Sequence, residues 1–180
     1  MLGPLYMQNV LEFSPLTIGL IATTLPLLTA VTSPISGRLA DRMDARVIAA
    51  IGLIFTLLGI FIYSRLGIAS SYLWVVFAFA LIGAGTGFFV PANQRAAFST
   101  VSGEHYGILS AMMSSFGPAA GTIGIAMAVV LLEETMTEKI IRDPLAFTNA
   151  QQFAFSSLLP LAAIAILIRL AGSWKRPAKP

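Results

Sequence analysis

The side chains of this chain that could do covalent chemistry are few. Its 180 residues include one histidine, His105, and no cysteine, so there is no thiolate nucleophile and no cysteine metal site. Ser102 precedes His105 in one loop, and such a pair can serve as nucleophile and base in a hydrolase. The pair must be held in geometry inside a water-accessible cavity, which we do not expect from neighbouring loop positions. The motifs H-E-x-x-H for zinc and G-x-x-x-x-G-K-S/T for ATP are absent from the sequence. We therefore predict no enzyme activity and no cofactor.

Charged side chains are concentrated in residues 37–46, which read GRLADRMDAR. Asp41 could cap or face a helix N-terminus, where a carboxylate is favoured by about 0.3–1 kcal/mol. The arginines of the segment could pair with Asp41 or with anionic lipid; they are Arg38, Arg42 and Arg46. The alternative interpretation is a basic turn that only orients the chain in a membrane.

Charges are excluded from five long stretches of the chain. The 11 basic and 8 acidic residues all lie outside 13–37, 47–64, 66–94, 106–132 and 144–168. Crossing the bilayer core takes about 20 mostly apolar residues in a helix, because lipid offers the backbone no other hydrogen-bond partner. We therefore predict an all-α polytopic membrane protein with the lipid bilayer as its partner. The expected spans are about 16–36, 47–64, 72–92, 108–132 and 152–170, followed by a tail at 171–180.

The composition favours the same class of protein. Hydrophobic residues make up 57% of the chain and charged residues 11%, whereas soluble domains carry about 25% charged residues. The net charge of +3 could suggest a nucleic-acid partner. The basic residues bracket the apolar stretches and do not cluster, which is typical of membrane orientation signals. We therefore expect no nucleic-acid partner.

The positions of lysine and arginine predict the orientation of the chain. If the segment 37–46 is cytoplasmic, only Arg65, Lys139 and Arg142 lie outside. The other eight basic residues then lie inside, as the positive-inside rule requires; they are Arg38, Arg42, Arg46, Arg95, Arg169, Lys175, Arg176 and Lys179. We therefore predict a multi-pass protein of the inner cell membrane with its N-terminus outside and its C-terminus in the cytoplasm.

Glycine and proline recur inside the expected spans. The residues that we assign to helix packing or bending are Pro34, Gly83, Gly87, Pro91, Gly117, Pro118 and Gly121. Two glycine pairs have G-x-x-x-G spacing, which lets membrane helices approach closely. Close packing is one interpretation, and helices that slide or bend during a transport cycle are the other.

Several segments carry a resemblance to one family of transporters. Residues 37–46 are similar to the G-x-x-x-D-R-x-G-R signature of the major facilitator superfamily. The segments 14–20, 83–91 and 107–121 look most like the fourteen-span drug:proton antiporters of that superfamily. The resemblance covers nearly all of the chain and implies most of a C-terminal six-helix bundle. It also implies a missing N-terminal half as partner and an unidentified small molecule as substrate, in a multidrug efflux protein.

Two departures weaken this resemblance locally. Asp44 and Ala45 stand where the signature usually has glycine and a basic residue. The segment 117–121 reads GPAAG and resembles the core of the antiporter motif, which in the family belongs to the N-terminal half. We interpret it as similarity between repeats.

The resemblance also implies roles for the charged residues. It assigns conformational gating to Gly37, Arg38, Asp41, Arg42, Arg46 and Arg95. Because Asp41 and Arg95 lie at the same expected depth, we predict that they pair directly and hold one side of the transport cycle closed. No ionisable residue lies within the five uncharged stretches, so a coupling carboxylate should lie outside this chain if the parent is proton-coupled.

Other functions remain open at this stage. The residues 1–7 read like the end of an apolar helix, from which we expect a truncated chain. A homodimeric half-transporter and a non-transporting membrane adaptor are the alternatives. Hydroxyl residues such as Thr29, Thr32, Ser110 and Ser114 could line a pathway, but we expect most of them to bond back to their own helix.

Overall fold

The computed structural model describes residues 7–8, 10–68 and 70–133, together with positions 145, 148–149, 152–153, 155–156, 160 and 164. Four long helices occupy this part of the chain, and each is long and apolar enough to cross a membrane. They are α1 (Pro15–Arg42), α2 (Ala45–Ser64), α3 (Tyr72–Phe98) and α4 (Tyr106–Glu133), with a short 3₁₀ turn at Gly103–His105 before α4.

Polar side chains at the residue before the helix fix where the first three helices begin. Ser14 accepts a hydrogen bond from the Thr17 backbone, and Pro15 occupies the first turn of α1, where its missing N–H costs nothing. Asp44 caps α2 and Ser71 caps α3 in the same way. Each cap satisfies a backbone N–H that has no partner inside the helix.

Helix α3 is the centre of the packed structure. It lies against both α1 and α2, which barely touch each other beyond the turn that joins them. Glycine makes this double contact possible because successive helix residues are turned by about 100°. Gly83 and Gly87 therefore face α1, and Gly85 faces α2.

Buried apolar residues form one cluster near each end of this three-helix unit. We call the end that carries Arg42 and Arg95 the basic end. There the buried residues are small or β-branched: Ala40, Ala45, Ile48, Ala49 and Ala92. The opposite end holds larger side chains, centred on Tyr63, whose ring meets Phe155 edge-on at 5.0 Å.

The all-helical prediction is confirmed for the described residues, whereas the count of five spans is not. Four candidate spans are found there. Of the predicted fifth span at 152–170, only scattered positions such as Phe155 belong to the described residues, so its course lies outside them. Where the bilayer begins and ends on each helix stays a prediction.

Candidate functional site

The basic end of the bundle holds an ion pair between two helices. Arg95 Nη1 lies 3.0 Å from Asp41 Oδ1, and both side chains are 58% exposed. The pair joins the last turn of α1 to the last turn of α3, so the predicted direct contact is confirmed. An exposed pair of this kind is worth about 0–1 kcal/mol.

The charged segment is more helical than its sequence suggested. Helix α1 continues to Arg42, and only Met43 and Asp44 separate it from α2. The expected first span ends at about residue 36, whereas the helix continues through Gly37 to its last turn at Arg42. A side chain added at Gly37 would meet nothing within 4 Å, so the described residues show no close helix contact there.

Asp44, not Asp41, caps the following helix. Its Oδ1 accepts a hydrogen bond of 2.8 Å from the backbone N–H of Arg46. From the sequence, Asp44 was interpreted only as a departure from the family signature. Its position immediately before an apolar run was the signal that could have identified it as an N-cap. Arg38, Arg42 and Arg46 lie around this turn, where their assigned gating role stays a prediction.

The contact between α1 and α3 is built from glycines on one helix and hydroxyls on the other. A Cβ at Gly83 would collide with the Leu25 backbone, and one at Gly87 would collide with Thr32 Oγ1. The absence of these Cβ atoms lets the two backbones approach closely. The first G-x-x-x-G pair is therefore a packing site in the described structure.

Three hydroxyls of α1 use this proximity to bond across to α3. Thr29 Oγ1 donates to Gly83 O at 2.9 Å, and Ser36 Oγ donates to Phe88 O at 2.7 Å. Thr32 Oγ1 donates to Leu28 O of its own helix at 2.7 Å and lies 3.4 Å from Ala84 O. Such bonds between membrane helices contribute about 0.6 kcal/mol each on average. These hydroxyls hold helices together, which does not support the alternative that Thr29 and Thr32 line a pathway.

The prolines assigned to bending lie inside helices that continue through them. Pro34 is in α1, Pro91 in α3 and Pro118 in α4. Each removes one backbone N–H, which leaves the carbonyl four residues earlier without its helical donor. In α4 that carbonyl belongs to Ser114.

The second glycine pair has no helix against it among the described residues. A Cβ at Gly117, Gly121 or Gly124 would meet nothing within 4 Å. Helix α4 extends from the three-helix unit as a largely exposed element. The predicted packing role of Gly117, Pro118 and Gly121 therefore stays a prediction about a surface that is open here.

A cleft of about 250 Å³ separates α3 from α4 near the basic end. The Phe98 and Tyr106 rings meet edge-to-face at 5.2 Å on either side of the connecting turn. The cleft is lined by Phe89, Val90, Asn93, Gln94, Phe98, Ser110, Met113, Ser114 and Gly117. Asn93 and Gln94 did not enter the sequence-based candidates, since they follow the predicted span at 72–92.

The loop before α4 brings its serine and histidine together. Ser102 Oγ lies 2.8 Å from His105 Nδ1 and donates to Glu104 Oε1 at 3.1 Å. The 3₁₀ turn at 103–105 brings the two side chains together within the loop. All three side chains are exposed, so the described residues give this pair no enclosing cavity.

Comparison with known proteins gives a consistent result. All of the chain, residues 1–180, matches the family described as Major Facilitator Superfamily. It is 29% identical to the uncharacterized transporter YebQ of Escherichia coli K12, over 73% of this chain and 29% of YebQ. It is 27% identical to the multidrug resistance protein Stp of Mycobacterium tuberculosis, over 88% of this chain and 31% of Stp. It is 26% identical to the fosmidomycin resistance protein of Escherichia coli K12, over 91% of this chain and 37% of that protein.

These matches cover only part of each relative. The chain spans between 29% and 37% of the length of the three proteins. No solved structure matches the chain significantly.

Proposed function

The chain belongs to the major facilitator superfamily, and we propose that it forms most of the C-terminal bundle of an exporter of drugs or other small organic molecules. The names of two relatives, a multidrug resistance protein and a fosmidomycin resistance protein, support this substrate class. We propose further that the intact transporter is proton-coupled and lies in the inner membrane. The C-terminus of this chain would then face the cytoplasm.

The observation that carries the proposal is the ion pair between Asp41 and Arg95. It lies in the segment similar to the family signature and joins the basic ends of α1 and α3 at 3.0 Å. In such transporters one bundle rocks against the other about a central site. A contact that closes one end of a bundle is therefore suited to bias the cycle towards one conformation.

The ion pair is strong enough to favour one conformation of the transporter but too weak to hold the transporter in it. An exposed pair of at most about 1 kcal/mol changes a conformational equilibrium by about fivefold at most. A transporter must leave each conformation in every cycle, so a weak latch serves it better than a strong one. In our proposal the hydroxyl and glycine contacts farther along α1 and α3 stay formed throughout the cycle, whereas the exposed pair at their basic ends opens in one of the conformations.

Proton coupling would require a titratable side chain that lies outside the five uncharged stretches of this chain. No aspartate, glutamate, histidine, lysine or arginine lies within the five uncharged stretches of the sequence, and coupling residues usually lie inside the membrane. In our proposal the other bundle supplies them. The chain alone should therefore insert into membranes without transporting anything.

The test has two arms in an Escherichia coli strain that lacks its own drug pumps. In the first, the chain alone is expressed and ethidium efflux is measured after energisation; we expect insertion without efflux. In the second, the chain replaces the matching segment of the fosmidomycin resistance protein, and we expect resistance to fosmidomycin to be retained in part. An inserted, folded chimera without resistance would count against the transport proposal.

The first arm also distinguishes the homodimeric half-transporter. The open glycine surface at Gly117, Gly121 and Gly124 favours association with another helix, which could belong to a second copy. Efflux by the chain alone that collapses with a protonophore would establish that alternative.

A further inference from the structure

Two arginines lie one helical turn apart near the end of α1. Arg38 and Arg42 are four residues apart and both are exposed, so their positive charges repel each other along one side of the helix. The ion pair at this end does not include them, because Asp41 pairs with Arg95 at 3.0 Å. An anion placed between Arg38 and Arg42 would offset their repulsion.

The carboxylates that the described chain offers at this end already have partners. Asp41 holds Arg95, and Asp44 accepts the hydrogen bond that caps α2. Glu104 accepts a hydrogen bond within the loop before α4. These contacts leave the two arginines of α1 as the cations that an added anion would meet.

The sequence places the other acidic residues of the chain beyond the opposite ends of the helices. Glu12 precedes α1, and Glu133 is the last residue of α4, a 28-residue helix about 42 Å long that starts beside the basic end. The remaining acidic residues follow Glu133 and precede residue 144, and residues 144–180 contain no aspartate or glutamate. We therefore expect the anion that neutralises Arg38 and Arg42 to come from outside the chain.

The exposed face of α1 that leads to these arginines is apolar. Leu27, Val31 and Ile35, which we call the α1 stripe, are all exposed and follow one another at intervals of four residues. Arg38 and Arg42 continue the same face at intervals of three and four residues. Helix α1 is long and apolar enough to cross a membrane, so in a bilayer the arginines at the end of the stripe reach the headgroups.

We propose that this face of α1 binds an anionic phospholipid. Its phosphate lies between the guanidinium groups of Arg38 and Arg42, and its acyl chains lie along the α1 stripe. A guanidinium donates two parallel hydrogen bonds to a phosphate, which suits arginine better than lysine for this contact. Each basic residue near a membrane surface strengthens the attraction of anionic lipid about fivefold, so the two arginines together supply about thirtyfold.

Both parts of the lipid are needed to account for this surface. A free phosphate contacts only the arginines, and exposed ion pairs in water are weak. A soluble acidic peptide likewise leaves the α1 stripe uncovered. One phospholipid covers the stripe and neutralises the arginines, which matches the order of apolar and charged residues along the face.

The inference does not depend on transport, so it is tested by lipid binding to the purified full chain in detergent. Native mass spectrometry counts the lipid molecules that the chain retains as lipid is added. The two matched lipids are dioleoylphosphatidylglycerol, which is anionic, and dioleoylphosphatidylcholine, which has the same acyl chains and no net charge. Glycerol 3-phosphate carries the phosphate without acyl chains. We expect phosphatidylglycerol to bind at least about fivefold more tightly than either of the other two.

Substitutions place the bound lipid at the two arginines. Arg38→Gln and Arg42→Gln should each weaken binding of phosphatidylglycerol by about fivefold, and the double variant by about thirtyfold. Arg65→Gln is the matched control, because Arg65 is also exposed but lies at the opposite end of the bundle, over the Phe61 ring. It should leave the lipid preference unchanged, and circular dichroism of each variant verifies folding.

Three results would overturn the proposal. Equal binding of the two phospholipids by the wild-type chain would leave the arginines to an acidic segment of another protein. Unchanged binding of phosphatidylglycerol by the folded double variant would assign the lipid to another basic segment. Binding of glycerol 3-phosphate as tight as that of the lipid would indicate a soluble anion. Loss of resistance in the chimera with a retained lipid preference would contradict the transport proposal alone, so the two can fail separately.

Discussion

Replacing Gly87 with alanine tests whether the close contact between α1 and α3 stabilises the bundle. The new methyl group would collide with Thr32 Oγ1 and lie 2.9 Å from the Thr29 carbonyl oxygen. Neither neighbour can move easily, because one is backbone and the other is a buried hydroxyl that donates to Leu28 O. We therefore expect the helices to separate, at a cost of about 1–3 kcal/mol for overpacking.

A second effect works in the opposite direction. Alanine is favoured over glycine inside a helix by about 0.5–1 kcal/mol, which offsets part of that cost. Gly121→Ala is the matched control, since it has the same propensity gain in α4 but open space around its Cβ. The difference between the two variants then isolates the overpacking cost of about 1–3 kcal/mol.

The assay is thermal unfolding of the detergent-solubilised chain, followed by circular dichroism. For a chain of this length, about 1 kcal/mol shifts the melting temperature by roughly 2–4 °C. Gly87→Ala should therefore melt about 2–12 °C below Gly121→Ala. Equal melting temperatures would show that the tight contact at Gly87 does not exist in the folded protein.

Two further predictions concern the orientation of the chain and the ion pair at the basic end. Cysteines introduced at the exposed Met43 by Met43→Cys and in the tail by Ser173→Cys should be protected from an impermeant thiol reagent in intact cells, whereas one from Thr137→Cys should react; labelling at position 43 would reverse the orientation. In the fosmidomycin chimera, Asp41→Arg should lower resistance and the swap Asp41→Arg with Arg95→Asp should restore part of it, while stability changes by no more than about 1 kcal/mol. If the double variant does not recover resistance, the charge at position 41 matters for a reason other than its pairing with Arg95.

The helices could be predicted from the sequence because lipid offers the backbone no hydrogen-bond partners. A helix is the only local solution to an apolar run without hydrogen-bond partners, so the four described spans could be predicted from the missing charges alone. The contact of Asp41 with Arg95 could be predicted because both residues mark the same end of their helices. The length of α1 could not, because residues 37–42 are polar enough to read as a loop and helical enough to continue the helix.

The packing of glycines was harder to predict because spacing alone does not supply a partner. Gly83 and Gly87 have the same spacing as Gly117 and Gly121, yet among the described residues only the first pair has a helix against it. The difference lies in the neighbouring helix, where Thr29 and Thr32 place hydroxyls opposite the glycines. A predicted packing site therefore needs a complementary polar pattern on a second helix as well as small residues on the first.

The polar residues of the spans and of their ends differ in the partners that they need. An amide or hydroxyl inside a membrane span bonds to its own helix, to another helix or to water in a cavity. Thr29 and Ser36 bond to α3, and Ser115 bonds to α4 itself. Asn93 has neither kind of bond among the described residues, but it is only half-buried and lies two residues before the exposed Arg95, where water can reach its amide. A polar side chain at the end of a span therefore needs no partner on another helix, whereas the buried hydroxyl of Ser36 finds one on α3.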